Sequence, residues 1–210
     1  MSATLFDPCK RSAALRERWG VSILRPALVY VGRLSREKGL EALASMARIL
    51  KYGAVPYRLI FIGDGPMRGE LRDLFPGAVF TGMLPHEEVA VALASSDILV
   101  FPSRTDTAGN VVLEAQAAGV PVLVSDEGGP QENLDPGASG FVCGNDLEFA
   151  RRAAELLRNA NKRRQFAHAA RRYALTRQWD AALEPLYRAY AGVHVQSARS
   201  SIGAHATVAE

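Results

Sequence analysis

The chain has 210 residues, of which 48% are hydrophobic and 22% are charged, and its formal net charge at pH 7 is +3. This composition is typical of a folded globular protein and excludes a disordered or collagen-like chain. The charge excess is too small to favour nucleic acid as a partner, and we expect none; an anionic small ligand fits the charge equally well.

Two cysteines, Cys9 and Cys143, lie far apart in the sequence, so they offer neither a disulfide framework nor the spacing of a zinc ribbon. We therefore expect a reducing, cytoplasmic environment. The first residues lack the apolar core of a signal peptide, and no stretch approaches the roughly 20 apolar residues that a membrane-spanning helix needs. Any membrane association would be peripheral.

Short apolar strands alternate with amphipathic helices from Ala27 onward. The predicted strands are ALVYVG, YRLIFIG, AVFTG, DILVFPS, PVLVS and FVC, and the predicted helices cover residues 37–52, a segment beginning near 67, 87–94 and 109–118. Because the strands are apolar on both faces, they predict a six-stranded parallel sheet with helices on both sides, a doubly wound Rossmann-like α/β fold. In such folds ligands bind beyond the carboxyl ends of the strands, so we expect the functional residues in strand-to-helix loops.

The chain is long enough for one domain with a sizeable core, which we expect over residues 21–192. A linker and a lead-in helix over residues 1–20 precede it. Beyond Asp146 the pattern predicts only helices, over residues 150–160, 162–175 and 179–190. The tail over residues 193–210 has little apolar content, so we expect it to be disordered.

The loop after the first strand is GRLSREKGL, which places Arg33 and Lys38 just past the strand end, with Gly32 before them. Two cations close to the start of a helix predict an anion site. Solvated surface charges are the alternative interpretation.

The loop after the second strand is GDGPMRG, in which Gly63 and Gly65 match a variant of the dinucleotide-binding fingerprint. That fingerprint also needs an acidic residue about 20 positions further on, to hold a ribose. The corresponding region is AVFTGML and contains no acid. An NAD-dependent oxidoreductase is therefore an alternative, but the missing acid disfavours it. The glycines are equally compatible with a simple turn.

The segment FPSRTDTAGNVVLEAQAAGVPVLVS carries Asp106 in a loop and Glu114 in the following helix, eight residues later. Both carboxylates can face a ligand over the start of the helix, where a diphosphate would meet the backbone amides of Ala108, Gly109 and Asn110. Carboxylates suit hydroxyl-rich ligands, because each oxygen accepts charge-assisted hydrogen bonds. The alternative is that Asp106 caps the helix and Glu114 is an exposed helical residue.

A later loop, SDEGGPQENL, follows the fifth strand and contains Gly128, Gly129 and Glu132. Consecutive glycines allow a ligand to approach closely, but they also form flexible turns. This loop therefore supports a ligand site without deciding it.

Taken in order, the segments GRLSREKG, GDGP, VFTGML, SDILVFPS, LEAQAAGVPVLVS and GGPQE resemble the C-terminal domain of the family 4 retaining glycosyltransferases, which have the GT-B architecture. The likeness spans residues 29–190. The family's signature of two glutamates separated by seven residues falls on Asp106 and Glu114, with aspartate at the first position. The resemblance implies a domain that binds a UDP- or GDP-linked hexose for transfer without a metal ion.

Carried onto this sequence, the resemblance implies catalytic roles for Arg33, Lys38 and Asp106. The two cations would bind the donor diphosphate, and Asp106 would reach hydroxyls of the donor sugar. Glu114 would bind the ribose hydroxyls. The predicted donor-binding residues are Gly32, Gly63, Gly65, Met83, Leu84, Thr107, Ala108, Gly109, Asn110, Val111 and Glu114, with Met83 and Leu84 near the base.

We expect no metal ion and no other cofactor, because the chain contains no Asp-x-Asp motif and its four histidines lack ligand spacing. In the family, a separate N-terminal domain holds the acceptor, and the opening LFDPCKRSAALRERWG resembles the linker between the two domains. The expectation is thus a donor-binding half, inactive alone, whose glycan or lipid-linked acceptor is bound by the missing domain. A non-catalytic nucleotide-binding module is a further alternative.

Basic residues crowd the late helices. They are Arg151, Arg152, Arg158, Lys162, Arg163, Arg164, Arg171 and Arg172. A solvated helix face is the commoner cause of such a cluster, and peripheral contact with an anionic membrane is the alternative.

Overall fold

A computed structural model of the protein describes residues 4–177 and shows strands that alternate with helices. The strands are β1 (Ala27–Val31), β2 (Arg58–Ile62), β3 (Val79–Gly82), β4 (Ile98–Phe101), β5 (Val122–Ser125) and β6 (Gly140–Cys143). The helices are α1 (Ala13–Arg18), α2 (Glu41–Tyr52), α3 (Arg68–Leu74), α4 (His86–Ala94), α5 (Asn110–Ala117), α6 (Asp146–Arg158) and α7 (Ala160–Thr176). The helix predicted over 179–190 and the tail predicted over 193–210 lie outside the described residues.

Within residues 4–177 the strands form one parallel sheet in the order β3-β2-β1-β4-β5-β6. The chain moves outward from β1 to β3 and then returns to the other side of β1, where it continues from β4 to β6. Because crossovers between parallel strands are right-handed, this reversal places the helix that follows β1 and the helix that follows β4 on opposite faces. Helix α6, which follows the last strand, packs against α2, whereas α7 packs against α5. The predicted doubly wound fold is confirmed.

The central strands β1, β4 and β5 are almost entirely buried, since they are covered on both faces. This burial explains why their sequences are continuously apolar instead of alternating with polar residues. The sheet therefore forms a rigid platform whose loops project from its carboxyl edge.

The helix predicted from residue 37 begins instead at Glu41. Residues Arg36–Lys38 form a single 3-10 turn, which ends at Gly39 in the left-handed conformation with φ of 64°. A β-carbon at Gly39 would lie 2.9 Å from the carbonyl oxygen of Pro102, so the two loops come into backbone contact there. Lys38 consequently lies in a turn beside the loop after β4 and not in a helix.

The boundaries of the late helices also differ from the prediction. Helix α6 begins at Asp146 because the side chain of Asn145 accepts a hydrogen bond of 3.0 Å from the backbone of Glu148. Asn159 ends α6 in an extended conformation and caps α7 by accepting from the backbone of Lys162 at 2.9 Å. Both asparagines are ordinary helix-capping residues that the periodicity of the apolar residues did not reveal.

The late basic residues mostly make contacts within the domain. Arg152 and Lys162 form ion pairs with Glu155. Arg158 donates to the carbonyl oxygen of Gly53, and Arg163 donates to those of Leu156 and Leu157. Arg171 donates to the carbonyl oxygen of Phe6 and forms an ion pair with Asp7. These contacts account for much of the basic cluster without a membrane. Over residues 4–177, no helix combines the length and the apolarity that crossing a bilayer requires.

The segment before β1 is tied to the sheet by Asp97, whose side chain is only 10% exposed. Its carboxylate accepts from Arg11 at 2.8 Å and from Arg16 at 2.9 Å. It also accepts from the backbone of Ala27 at 2.7 Å, at the first residue of β1. One carboxylate thus joins the N-terminal segment, α1 and the central strand.

We expect Asp97→Ala to lower the free energy of unfolding by about 3 kcal/mol or more, because it removes the carboxylate that neutralises two guanidinium groups and leaves the backbone amide of Ala27 without its acceptor. Denaturant unfolding followed by circular dichroism would measure the change. Glu127→Ala is the control, since Glu127 forms an exposed ion pair with Arg104; its removal should change stability by less than about 0.5 kcal/mol. Equal losses for the two variants would contradict the role assigned to Asp97.

Candidate functional site

The order of the strands creates a crevice between β1 and β4, because the chain leaves these neighbouring strands in opposite directions. A cleft of about 670 Å³ opens there. Most of the predicted site residues line it, namely Gly32, Arg33, Lys38, Asp106, Thr107, Ala108, Gly109, Asn110, Val111 and Glu114. Residues that are widely separated in the sequence are thereby brought to one place.

The loop after β1 is held by Tyr30, which the sequence analysis did not single out. Its ring is fully buried and stacks on Phe101 with ring centroids 6.1 Å apart. Burial raises the pKa of Tyr30, so the phenol stays protonated and donates a hydrogen bond of 2.9 Å to the carbonyl oxygen of Arg33. A second tie runs from the Thr105 hydroxyl to the carbonyl oxygen of Glu37 at 3.0 Å. The two loops that form the cleft are therefore fixed to each other.

Lys38 and Asp106 face each other across the cleft, with Nζ 2.8 Å from Oδ1. Both side chains are largely buried, at 20% and 25% exposed. The other oxygen of Asp106, Oδ2, is buried and has no hydrogen-bond partner among the described residues. A buried carboxylate oxygen without a donor is unfavourable, so this atom is suited to accept a hydrogen bond from a ligand.

Arg33 adds a second positive charge to the cleft. Its side chain is exposed, and within residues 4–177 it forms no ion pair or hydrogen bond through its guanidinium group. The carboxylate of Glu37 is engaged elsewhere, by the hydroxyl of Ser35 at 2.6 Å, and this hydrogen bond is the main reason that the pKa of Glu37 is lowered. Arg33 is therefore available to an anionic ligand.

Helix α5 begins at the floor of the cleft. Gly109 occupies the position before its first residue, Asn110, and no side chain caps the helix there. The first backbone N–H groups of a helix have no partner within the helix, and they carry partial positive charge. Together with Arg33 and Lys38, this helix start has the charge and the backbone donors that an anion needs.

The glycines after β5 pack against the loop that joins β4 to α5. The backbone N–H of Gly129 donates to the carbonyl oxygen of Asp106 at 2.8 Å. A β-carbon at Gly129 would lie 1.8 Å from the carbonyl oxygen of Thr107. The side-chain amide of Asn133 donates to the carbonyl of Ala108. Close approach is thus needed here, as expected for consecutive glycines, and the segment that they approach is the backbone of the loop after β4.

Glu114 lies one turn into α5, and its side chain is 20% exposed. Its Oε1 atom is 3.4 Å from Nε2 of His86, the first residue of α4. His86 also lines the cleft, although in the sequence it is one of four histidines without ligand spacing. Its position directly after a strand-to-helix loop, at the start of α4, was the one signal that could have identified it.

The loop containing Gly63 and Gly65 packs against the loop after β1 and does not line the cleft. A β-carbon at Gly63 would lie 2.0 Å from the carbonyl oxygen of Gly32, and one at Gly65 would lie 2.3 Å from that of Leu34. These glycines allow the two loops to touch. Direct contact between them and the donor stays a prediction.

Met83 and Leu84 also lie outside the main cleft. Met83 is 82% exposed. Leu84 lines a separate cleft of about 600 Å³ with Leu15 and Trp19. Their proximity to a base stays a prediction. As for metal ions, the part of the chain that the structure describes holds no group of three or more His, Cys, Asp or Glu side chains placed to bind one.

Comparison with known proteins identifies relatives over most of the chain. The family model for glycosyl transferases group 1 matches residues 14–173. A GDP-mannose-dependent alpha-mannosyltransferase of Corynebacterium glutamicum is 35% identical over 196 residues, which are 92% of this chain and 46% of that protein. A protein of the same name from Mycobacterium tuberculosis is 36% identical over 189 residues, covering 90% of this chain and 48% of that protein. The chain thus spans about half the length of these relatives.

Solved structures show the same fold. Sucrose-phosphate synthase from Thermosynechococcus elongatus superposes with a TM-score of 0.76 at 24% identity, over 93% of this chain and 51% of that one. The C-terminal domain of a group 1 family glycosyl transferase from Francisella tularensis gives a TM-score of 0.69 at 17% identity, over 84% of this chain and 97% of that one. The described fold therefore matches about half of the first of these chains and nearly all of the second.

Proposed function

Since the chain belongs to the group 1 glycosyl transferases, we propose that it is the domain that binds the nucleotide-sugar donor in a retaining, metal-independent hexosyltransferase. The observation that carries this proposal is the convergence of two cations, two carboxylates and a helix start in one cleft. Each of these groups matches one part of a nucleotide-diphosphate sugar.

The diphosphate fits the positive part of the cleft. Arg33, Lys38 and the start of α5 provide fixed charges and backbone donors there. Negative charge grows on the diphosphate as its bond to the anomeric carbon breaks, and these groups stabilise that charge without a metal ion. The diphosphate leaves with the electron pair of the broken bond. An acceptor hydroxyl oxygen forms the new bond to the anomeric carbon, and its proton passes to an oxygen of the departing diphosphate.

The carboxylates fit the hydroxyl groups of the donor. The unpartnered Oδ2 of Asp106 accepts from a sugar hydroxyl, and Glu114 accepts from the ribose. Asp106 is one methylene shorter than the glutamate of the family signature. Its ion pair with Lys38 supports the shorter side chain at the edge of the diphosphate site.

We propose GDP-mannose as the donor, because relatives 35% and 36% identical to this chain are named GDP-mannose-dependent mannosyltransferases. A UDP-sugar is the second candidate. The acceptor, a glycan or a lipid-linked sugar, would be held by a second domain, since the chain spans 46% and 48% of those relatives. A peripheral membrane contact would then serve a lipid-linked acceptor.

We expect this chain to bind GDP in buffer that contains EDTA, and to bind it more tightly than UDP or NAD. Isothermal titration calorimetry would measure the three affinities. In Glu114→Ala the affinity for GDP should fall by about tenfold, the size of a lost hydrogen bond to a charged group. Glu127→Ala, which removes an exposed carboxylate after β5, should leave it unchanged.

The same titration separates the alternatives. Binding of NAD without GDP or UDP would indicate a dinucleotide-dependent oxidoreductase and contradict the proposal. Binding that requires added Mg²⁺ would contradict the metal-independent mechanism. Sugar transfer, measured by release of GDP from GDP-mannose in the presence of the acceptor-binding half, distinguishes an enzyme from a non-catalytic nucleotide-binding module.

A further inference from the structure

We propose that His86 is a positioning residue for the donor, which holds the carboxylate of Glu114 in the orientation that accepts the ribose hydroxyls. The inference rests on the proposed function, because it concerns how the same cleft recognises the nucleoside. It adds a side chain from α4 to the charged groups of the cleft, which otherwise come from the segments after β1 and β4 and from α5.

The two side chains meet at the rim of the cleft. Nε2 of His86 lies 3.4 Å from Oε1 of Glu114, which is the long end of the range for a hydrogen bond. Both residues line the cleft, and the imidazole is 58% exposed whereas the carboxylate is 20% exposed. With a proton on Nε2, the imidazole donates to Oε1 and leaves the second carboxylate oxygen for a ligand.

The position of the imidazole is itself restricted. His86 is the first residue of α4, so its backbone is fixed by the helix. Its ring and that of Phe6 pack in a T-shaped arrangement, with centroids 5.0 Å apart and an angle of 71° between the ring planes. Phe6 is only 1% exposed, and its carbonyl oxygen accepts a hydrogen bond from Arg171. The histidine is thereby held between the N-terminal segment and the cleft.

A hydrogen bond from His86 matters because the side chain of Glu114 has several rotatable bonds. Ordering a free carboxylate when the ribose binds costs conformational entropy, and this cost reduces affinity. A carboxylate already held by His86 loses less freedom on binding. The contribution of His86 should therefore be confined to ligands that carry the ribose hydroxyls which Glu114 contacts.

The test compares GDP with 2′,3′-dideoxy-GDP, which lacks those hydroxyls, by calorimetric titration of the whole chain. Wild-type protein should bind GDP about tenfold more tightly than the dideoxy form, as expected for hydrogen bonds to a charged group. His86→Ala should remove most of this tenfold difference in affinity. It should weaken the binding of GDP and leave the affinity for the dideoxy nucleotide nearly unchanged. His86→Gln, whose amide can donate from a similar position, should restore part of the ratio.

The control is His168→Ala, which removes an exposed histidine from α7. It should leave both affinities unchanged. If His86→Ala weakens both nucleotides equally, or if it keeps the wild-type ratio, His86 does not position Glu114. If wild-type protein binds neither GDP nor UDP, the proposed function fails instead, so the two failures are distinct.

Discussion

Replacement of Lys38 by alanine should lower the rate of sugar transfer by about 100-fold or more, the loss typical when one donor to a transition-state charge is removed. Lys38 lies at the junction of the two loops, with its ammonium group 2.8 Å from Asp106. An ammonium group has three N–H donors, so it can pair with Asp106 and still contact a phosphate oxygen. The measurement is GDP release from GDP-mannose with the acceptor-binding half present.

Two further variants separate the causes of this loss. Arg36→Ala removes a cation from the same 3-10 turn, but Arg36 is 72% exposed and pairs with Glu41 and Glu70 outside the cleft. This control should keep nearly full activity. The double variant Lys38→Ala/Asp106→Asn removes the unpaired carboxylate that Lys38→Ala alone would leave beside the diphosphate. If Lys38→Ala transfers sugar at the wild-type rate, Lys38 has no role in binding the leaving group.

Gly129→Ala should weaken GDP binding by about 100-fold, although Gly129 is not expected to touch the donor. The new methyl group would lie 1.8 Å from the carbonyl oxygen of Thr107, so the loop over residues 104–109 must move. The hydrogen bond from Gly129 to Asp106 would be disturbed as well. Displacements of about 1 Å in a site can cost about 100-fold in function, and overpacking typically costs about 1–3 kcal/mol in stability.

The matched control is Gly69→Ala, because a β-carbon at Gly69 would have no other atom within 4 Å. Gly69 lies in α3, where alanine is the better helix former, so this variant should be as stable as the wild type or slightly more so. Calorimetric titration with GDP and thermal unfolding would be measured for both variants. Wild-type affinity in Gly129→Ala would show that the loop tolerates the shift and that its position does not control binding.

The fold class and the family could be predicted because both depend on local patterns in a fixed order. Continuous apolar runs such as those of β1 and β4 indicate a parallel sheet when they alternate with amphipathic helices, as they do here. The boundaries were predicted less well, since Gly39 and Asn145 act through single conformations and caps that hydrophobic periodicity does not register. Tyr30 was missed for a related reason, because nothing in its neighbouring residues distinguishes it from the other apolar residues of β1. His86 was missed because only its position between a strand and a helix marks it.

By itself the sequence determined the class of the fold, the family and the residue types that a nucleotide sugar requires, because strand patterning and motif order are properties of the chain. Only the tertiary structure decided which of these residues meet. The sheet order brings Lys38 beside Asp106 and His86 beside Glu114, at separations of 68 and 28 residues. It also shows that Gly63, Gly65 and Gly129 approach other backbone segments. These pairings depend on how strands are ordered and loops packed, which the chain establishes only by burying its core, so no local pattern in the sequence encodes them.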